Sequence, residues 1–306
     1  MSISGTPISP VTTITTKLLY SVAPEDGSRA YSRVDFNPKT GVPETNVTRE
    51  AKEVVIENIR GKEDTVSLDI NGFQFFRHTS KHTSFATDEE IRSQYYPESA
   101  DLIKKLTGAS RVEFFDHTIR RRRPGQVDNS PDLRQPVALV HVDQTNKSSI
   151  ARVHRHIPAS DVPKLLKNRF QIVNLWRPIS HEAIDWPLAL CDYRSVDLKD
   201  TFPVALIYSD HEGETLSVKH NENQRWKYLR GMTPDEIVLI KWCVKSTRSK
   251  LSAHWMDNSA SYHSFDSSQD SNIAIFTPHT AFEDPTTPQG SIPRESIELR
   301  ALVFYD

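Results

Sequence analysis

Apolar and polar residues alternate with a period of two along much of this chain, the pattern of strands with one face buried. Thr12–Val22 alternates in this way, with Ile14, Leu18 and Tyr20 on one side, and 54–59 predicts a second strand. Val66-Ser-Leu-Asp-Ile70 and Phe73-Gln-Phe-Phe76 flank Asn71-Gly72, which predicts a β-hairpin because both turn residues tolerate positive φ. Two stretches have helical spacing instead. Thr87 with Glu90 forms a capping box for a short helix through about Gln94, and about Glu98 to Thr107 puts Leu102, Ile103 and Leu106 on one face before stopping at Gly108. Strands follow over 111–122, 136–142, 170–176, 202–208, 215–219, 236–242 and Ser296–Phe304, with one helix near 161–168 and no internal repeat. This order predicts a mainly β (α+β) jelly roll with helices packed outside it.

Composition narrows the class without choosing a chemistry. At 306 residues the chain can hold one large all-β domain, the organisation expected here, with 1–35 as an N-terminal extension and about 136–306 as the catalytic core. A net charge of −2 gives no general field for nucleic acid. The run Arg120-Arg-Arg-Arg123, beside Pro124-Gly125, reads as a solvated strand end, with some of its arginines as alternatives for an anionic pocket entrance. No apolar run approaches membrane-spanning length, and Met1–Thr6 lacks the regions of a signal peptide, so no membrane association is expected. Cys191 and Cys243 do not make a disulfide framework, which suits a reducing cytoplasmic interior. The sequons at Asn46 and Asn146 then carry no meaning for glycosylation.

The candidate chemistry lies in His141-Val-Asp143, Pro278-His279 and Arg294-Glu-Ser296. Residues i and i+2 of a strand share a face about 6.6–7 Å apart, close enough for an imidazole and a carboxylate to reach one ion. His279, after the apolar run Ile273–Phe276 and so expected at a strand end, is the candidate third ligand. Two histidines and a carboxylate on one face leave positions open for a bidentate 2-oxo acid and O2, as in non-haem Fe(II) oxygenases. Arg294, with Ser296 on the same strand face, supplies a two-pronged clamp for the distal carboxylate of such an acid. Among twelve histidines roughly one His-x-Asp or His-x-Glu arises by chance. The competitors His220-Asn-Glu222 and His154-Arg-His156 follow no strand as apolar as Pro136–Val140. His117 reads as a hydrogen-bonded strand residue, and Trp176 with Arg177 is read equally as site-lining or as a core tryptophan beside a surface arginine.

Six segments carry a resemblance. His141–Thr145, Asn174–Ile179, Leu190–Ser195, Gly231–Glu236, Thr277–Pro285 and Pro293–Phe304 are similar to the CmcJ/AsaB-type hydroxylase/desaturase family of fungal secondary-metabolite oxygenases. The likeness runs from about Phe36 onward. It implies a double-stranded β-helix of cupin-like kind, Fe(II), 2-oxoglutarate as co-substrate, and O2. It implies His141, Asp143 and His279 as iron ligands and Arg294 as the co-substrate's partner, with Arg300 on the same strand face as the other candidate. The expected reaction is hydroxylation, desaturation or another oxidation of a small organic metabolite through a ferryl intermediate.

One departure from that family is visible. About twenty residues, 242–263, stand between the Leu239-Ile-Lys241 strand and Ser264-Phe-Asp-Ser267 and read as an insertion, with a substrate lid, a disordered excursion and an inactivating disruption of the neighbouring strand as the alternatives. His254 and His263 within it are weaker alternatives to His279 because neither has an apolar strand context. A zinc hydrolase on the same triad and a catalytically inactive binding protein are the two alternative functions. Whether the chain forms a homodimer is open at this stage.

Overall fold

The computed structural model describes residues 11–36, 43–126, 128, 133–245 and 273–305. The first strands are β1 (Thr13–Val22), β2 (Tyr31–Phe36), β3 (Pro43–Thr45), β4 (Thr48–Asn58) and β5 (Phe73–Arg77). Helix α1 (Asp88–Glu90) continues through a π turn (Ile91–Tyr95) into α2 (Tyr96–Thr107), and β6 (Arg111–Arg121) follows. Past β7 (His141–Val142) come helices α3 (Asn146–His156) and α4 (Val162–Leu165). The remaining strands are β8 (Phe170–Pro178), β9 (Leu188–Cys191), β10 (Thr201–Ile207), β11 (Glu212–Val218), β12 (Trp226–Tyr228), β13 (Glu236–Lys245), β14 (His279–Ala281) and β15 (Glu295–Phe304).

These strands make two sheets, as a jelly roll requires. The larger runs β1-β4-β12-β9-β14-β7-β11-β10-β2-β3, and the smaller β5-β13-β8-β15-β6. Thr13–Val22, at the start of the chain, is thus a strand of the large sheet, paired with β4 along its whole length. The central strands of the small sheet are buried on both faces, so β8, β13 and β15 carry apolar runs such as Ile237–Ile240 and Ala301–Phe304. Ile297, Leu299, Ala301 and Val303 of β15 pack outward with Leu102 and Ile103 of α2. Burial of each such large side chain stabilises by roughly 1.5–3 kcal/mol. The opposite residues of β15, Ser296, Glu298 and Arg300, face the space between the sheets, where polar groups need partners.

Several local expectations are corrected by tertiary contacts. Val66–Ile70 is no strand and the hairpin does not form: the Asn71 side chain accepts the Ser67 N–H at 2.9 Å and donates to Asp192 at 2.9 Å. Gly72 (φ +89°) lies so close to 276–277 that an added Cβ would stand 2.8 Å from the Phe276 carbonyl oxygen. The two predicted helices are one continuous path. Pro97 at the start of α2 has no N–H for the preceding turn, and the π turn before it absorbs that loss. Thr87 caps as expected by accepting from Glu90 N, but the Glu90 carboxylate takes the Ser84 hydroxyl instead of closing a box. Only His141 and Val142 of 136–142 are strand; Val140 N donates to Leu19 O of β1 and Val137 O accepts from Ala281, bonds that belong to no ladder. Residues 273–276 are not strand, although Ala274, Ile275 and Phe276 are buried, so His279 begins a strand rather than ending one. Helix α3 was not anticipated, because its sequence is mostly polar; Thr145 and Ser148 cap it reciprocally. Trp242 belongs to β13 and is buried, whereas His254, Trp255 and His263 lie outside the described residues.

Candidate metal centre and anion pocket

β7 and β14 are neighbours in the large sheet, and their register places His279 directly opposite His141. The period of two turns Val142 into the apolar cluster on one side and His141 and Asp143 toward the small sheet on the other. His141, Asp143 and His279 each offer a ligand atom, all within 4.8 Å of one another. Among the described residues no other His, Cys, Asp or Glu group of three converges so closely. The competitors are elsewhere: His154 and His156 are on α3, and His220 packs edge-on against Tyr20.

Each imidazole is oriented by a backbone carbonyl two residues earlier. His141 Nδ1 donates to Leu139 O at 2.7 Å and His279 Nδ1 to Thr277 O at 3.0 Å, which leaves both Nε2 atoms turned to Asp143. His141 Nε2 is 3.1 Å and His279 Nε2 3.9 Å from Asp143 Oδ1. The other oxygen, Oδ2, accepts from Asn174 Nδ2 of β8 at 2.9 Å and lies 3.8 Å from Arg300 Nε. Burial alone would raise the Asp143 carboxyl, but the hydrogen bond from His141 and the charges around it hold it well below the usual carboxylate range. Burial and the neighbouring His141 push His279 down to about 4. Burial also acts to lower His141, yet its bond to Asp143 outweighs this and raises it. A carboxylate beside one neutral imidazole and one imidazole that gives up its proton to a metal is a donor set that fits a divalent cation.

The two arginine candidates differ in what already surrounds them. Arg300 contacts Glu298 at 2.5 Å and Asp116 at 3.1 Å, and donates to Thr118 Oγ1 at 2.9 Å. Arg294 is 2% exposed, and among the described residues it makes no ion pair. Its Nη1 donates to Trp186 O at 2.5 Å, its guanidinium lies 5.5 Å from the Trp176 ring centre, and its buried Nε has no partner. Burial, then repulsion from Arg120, pushes its pKa down to about 9. A group charged near neutral pH and held buried without an ion-pair partner is poised for an anion. Ser296 follows two residues later, also buried, and lines the same opening as the His–Asp–His cluster.

A family model described as "Oxidoreductase/YMDC permease-like domain" matches residues 18–304. The hydroxylase/desaturase poxK of Penicillium oxalicum is 30% identical over 98% of this chain and 94% of its own length. The chain belongs to the hydroxylase/desaturase family. A second hydroxylase/desaturase, CTB9 of Cercospora beticola, is 31% identical over 84% of the chain and 78% of its length. The solved structure of the iron and alpha-ketoglutarate-dependent endoperoxidase NvfI superposes with a TM-score of 0.76 at 26% identity, covering 96% of this chain and 98% of that one.

In this hydroxylase/desaturase the structure brings together all six sequence-nominated residues, His141, Asp143, His279, Arg294, Ser296 and Arg300, around one opening. It adds Asn174, Glu298 and Arg120. Glu298 was legible from its parity with Ser296 and Arg300; Asn174 and Arg120 depend on cross-strand register, Asn174 opposite Arg300 and Arg120 opposite Ser296. Trp176 lines the opening, while Arg177 is neither there nor on the surface. It is 2% exposed and donates to the Tyr95 hydroxyl at 2.9 Å and His78 O at 2.7 Å, tying the helical layer to the small sheet. His117 is hydrogen-bonded as expected, 2.8 Å from the Tyr96 hydroxyl.

Proposed function

We propose that this chain is an Fe(II)- and 2-oxoglutarate-dependent dioxygenase that oxidises a small organic metabolite, with His141, Asp143 and His279 holding the iron. The observation that carries the reading is the convergence of those three ligand atoms beside an unpaired, buried arginine. Its relatives include an Fe(II)/2-oxoglutarate-dependent dioxygenase of Aspergillus novofumigatus, 28% identical over 92% of this chain. When bound, the iron supplies oxidation of a C–H bond by O2 coupled to decarboxylation of 2-oxoglutarate.

The chain's own groups prepare the site. Leu139 and Thr277 carbonyls fix the two imidazoles with Nε2 inward, and Asn174 and Arg300 engage Oδ2 of Asp143, so that Oδ1 would be the oxygen left to hold a cation. Arg294 takes the distal carboxylate of 2-oxoglutarate and Ser296 adds a hydroxyl donor. Arg300, already surrounded by Glu298 and Asp116, positions Asp143 instead of binding the co-substrate. The walls exclude water through Trp176, Leu188 and Val137. A cytoplasmic location, where Fe(II) stays reduced, belongs to the same proposal; among the described residues no helix is long and apolar enough to cross a membrane. A zinc hydrolase gives Arg294 and Ser296 no task, and neither it nor an inactive binding protein is favoured by the relatives.

The test is metal-dependent formation of succinate from 2-oxoglutarate under O2. Activity that requires Fe(II) and disappears in Asp143→Ala is the expected result. Hydrolysis without O2, or turnover that survives this substitution, refutes the assignment.

A further inference from the structure

Arg120 is a third guanidinium in the same opening, with Arg294 and Arg300, and neither the metal cluster nor the arginine clamp just described uses it. It belongs to β6, and its Cα partner across the β6–β15 ladder is Ser296. Arg294 is two residues before Ser296, and its backbone carbonyl accepts from Arg122 N at 2.8 Å, so the two strands hold the arginines in one neighbourhood. The other arginines of the 120–123 run that meet acids do so outside it: Arg121 with Glu295 at 3.4 Å and Arg122 with Asp185 at 3.0 Å. Arg120 makes no ion pair among the described residues; its Nη1 donates to Gln135 O at 2.9 Å. The acid that acts most on it, Glu298, is itself held by Arg300 at 2.5 Å. Burial lowers the pKa of Arg120, and Arg120 in turn lowers that of Arg294.

Two like charges at one opening, Arg294 buried and Arg120 partly so, neither in an ion pair with a carboxylate, repel unless an anion comes between them. We infer that Arg120 and Arg294 form a two-guanidinium clamp on a single carboxylate, the distal one of 2-oxoglutarate, with Ser296 between them. This rests on the reading of the opening as a 2-oxoglutarate site. Arg120 then contributes to the choice of a five-carbon dicarboxylate over a 2-oxo acid with an uncharged tail, because only the former places a carboxylate between the two arginines and screens their repulsion.

The experiment is calorimetric titration of the Mn(II)-loaded full chain, which needs no turnover. Wild type, Arg120→Gln and Arg120→Lys are each titrated with 2-oxoglutarate and with 2-oxobutyrate, which keeps the chelating oxo acid and lacks the distal carboxylate. The expected result is a loss of 2-oxoglutarate affinity of at least about tenfold in Arg120→Gln, partly restored in Arg120→Lys. Mn(II) affinity and 2-oxobutyrate binding stay at wild-type values. Unchanged 2-oxoglutarate affinity overturns the clamp, and so does a parallel loss for both oxo acids or for Mn(II), which marks a structural effect. Wild-type protein that takes up Mn(II) and binds no 2-oxoglutarate overturns the functional reading itself.

Discussion

Replacing Arg294 with Met should stabilise the apoprotein while weakening 2-oxoglutarate binding, because the arginine is held charged and unpaired for its ligand. Folding lowers its pKa from 12.5 to about 9, a difference of roughly 3.5 units, or about 5 kcal/mol at 1.36 kcal/mol per unit as an upper bound. Met is apolar and keeps the methylene stem of the arginine, though it is shorter. It leaves the Trp186 carbonyl without its donor, which costs about 1–3 kcal/mol. The net expectation is a gain of about 2–4 kcal/mol near neutral pH, read as an increase in the urea midpoint at unchanged m-value. The pH sign follows from a cation whose folded pKa is depressed. The wild-type penalty is complete below about 9 and fades as pH rises through 9 toward the unfolded value, so the gap between variant and wild type narrows over that interval. With co-substrate the order reverses: loss of a charge-assisted clamp worth about 2–3 kcal/mol lowers 2-oxoglutarate affinity roughly 30- to 150-fold. A variant less stable than wild type by more than about 1 kcal/mol, with no affinity change, would falsify the idea that Arg294 waits for an anion.

Gly72→Ala couples stability to the metal centre. Its Cβ would sit 2.2 Å from Thr277 Oγ1 and 2.8 Å from the Phe276 carbonyl oxygen, on a backbone at φ +89°, so a loss of about 2–4 kcal/mol is expected by denaturant titration. Thr277 O orients His279, so metal affinity should fall about 10- to 100-fold as well, measured by competition with a chelator; unchanged affinity would separate the two effects. The proton balance of metal binding should be carried by His141. Its folded pKa is raised, so the stability from its bond to Asp143 is full below about 6.5 and is lost as pH rises through the folded value. His279, at about 4, is already neutral near pH 6. About one proton per cation should therefore be released at pH 6, by calorimetry in buffers of differing ionisation heat, and about two would contradict this arrangement.

The strands with one apolar face were legible because a period of two survives any change of neighbour. Thr13–Val22 and Glu295–Phe304 were each foreseen to within a residue or two. The same period placed His141 with Asp143, and Ser296 with Arg300, because side chains two apart on a strand share a face whatever the fold. Residues whose conformation is set by distant contacts were misread: Asn71-Gly72 has the local chemistry of a hairpin, but Asp192 and Thr277 hold it in a different turn. Helix α3 was missed since eleven mostly polar residues depend on a cap and on Ser149 and Val153 packing inward. What only the tertiary structure decided is cross-strand register. It sets His279 against His141, Asn174 and Arg120 against β15, and gives Arg300 acidic partners while leaving Arg294 none. Sequence periodicity specifies which face a side chain occupies. Its partner across the sheet is fixed by the register of strands far apart in the chain, and that partner determines whether a buried charge is satisfied or waits for a ligand.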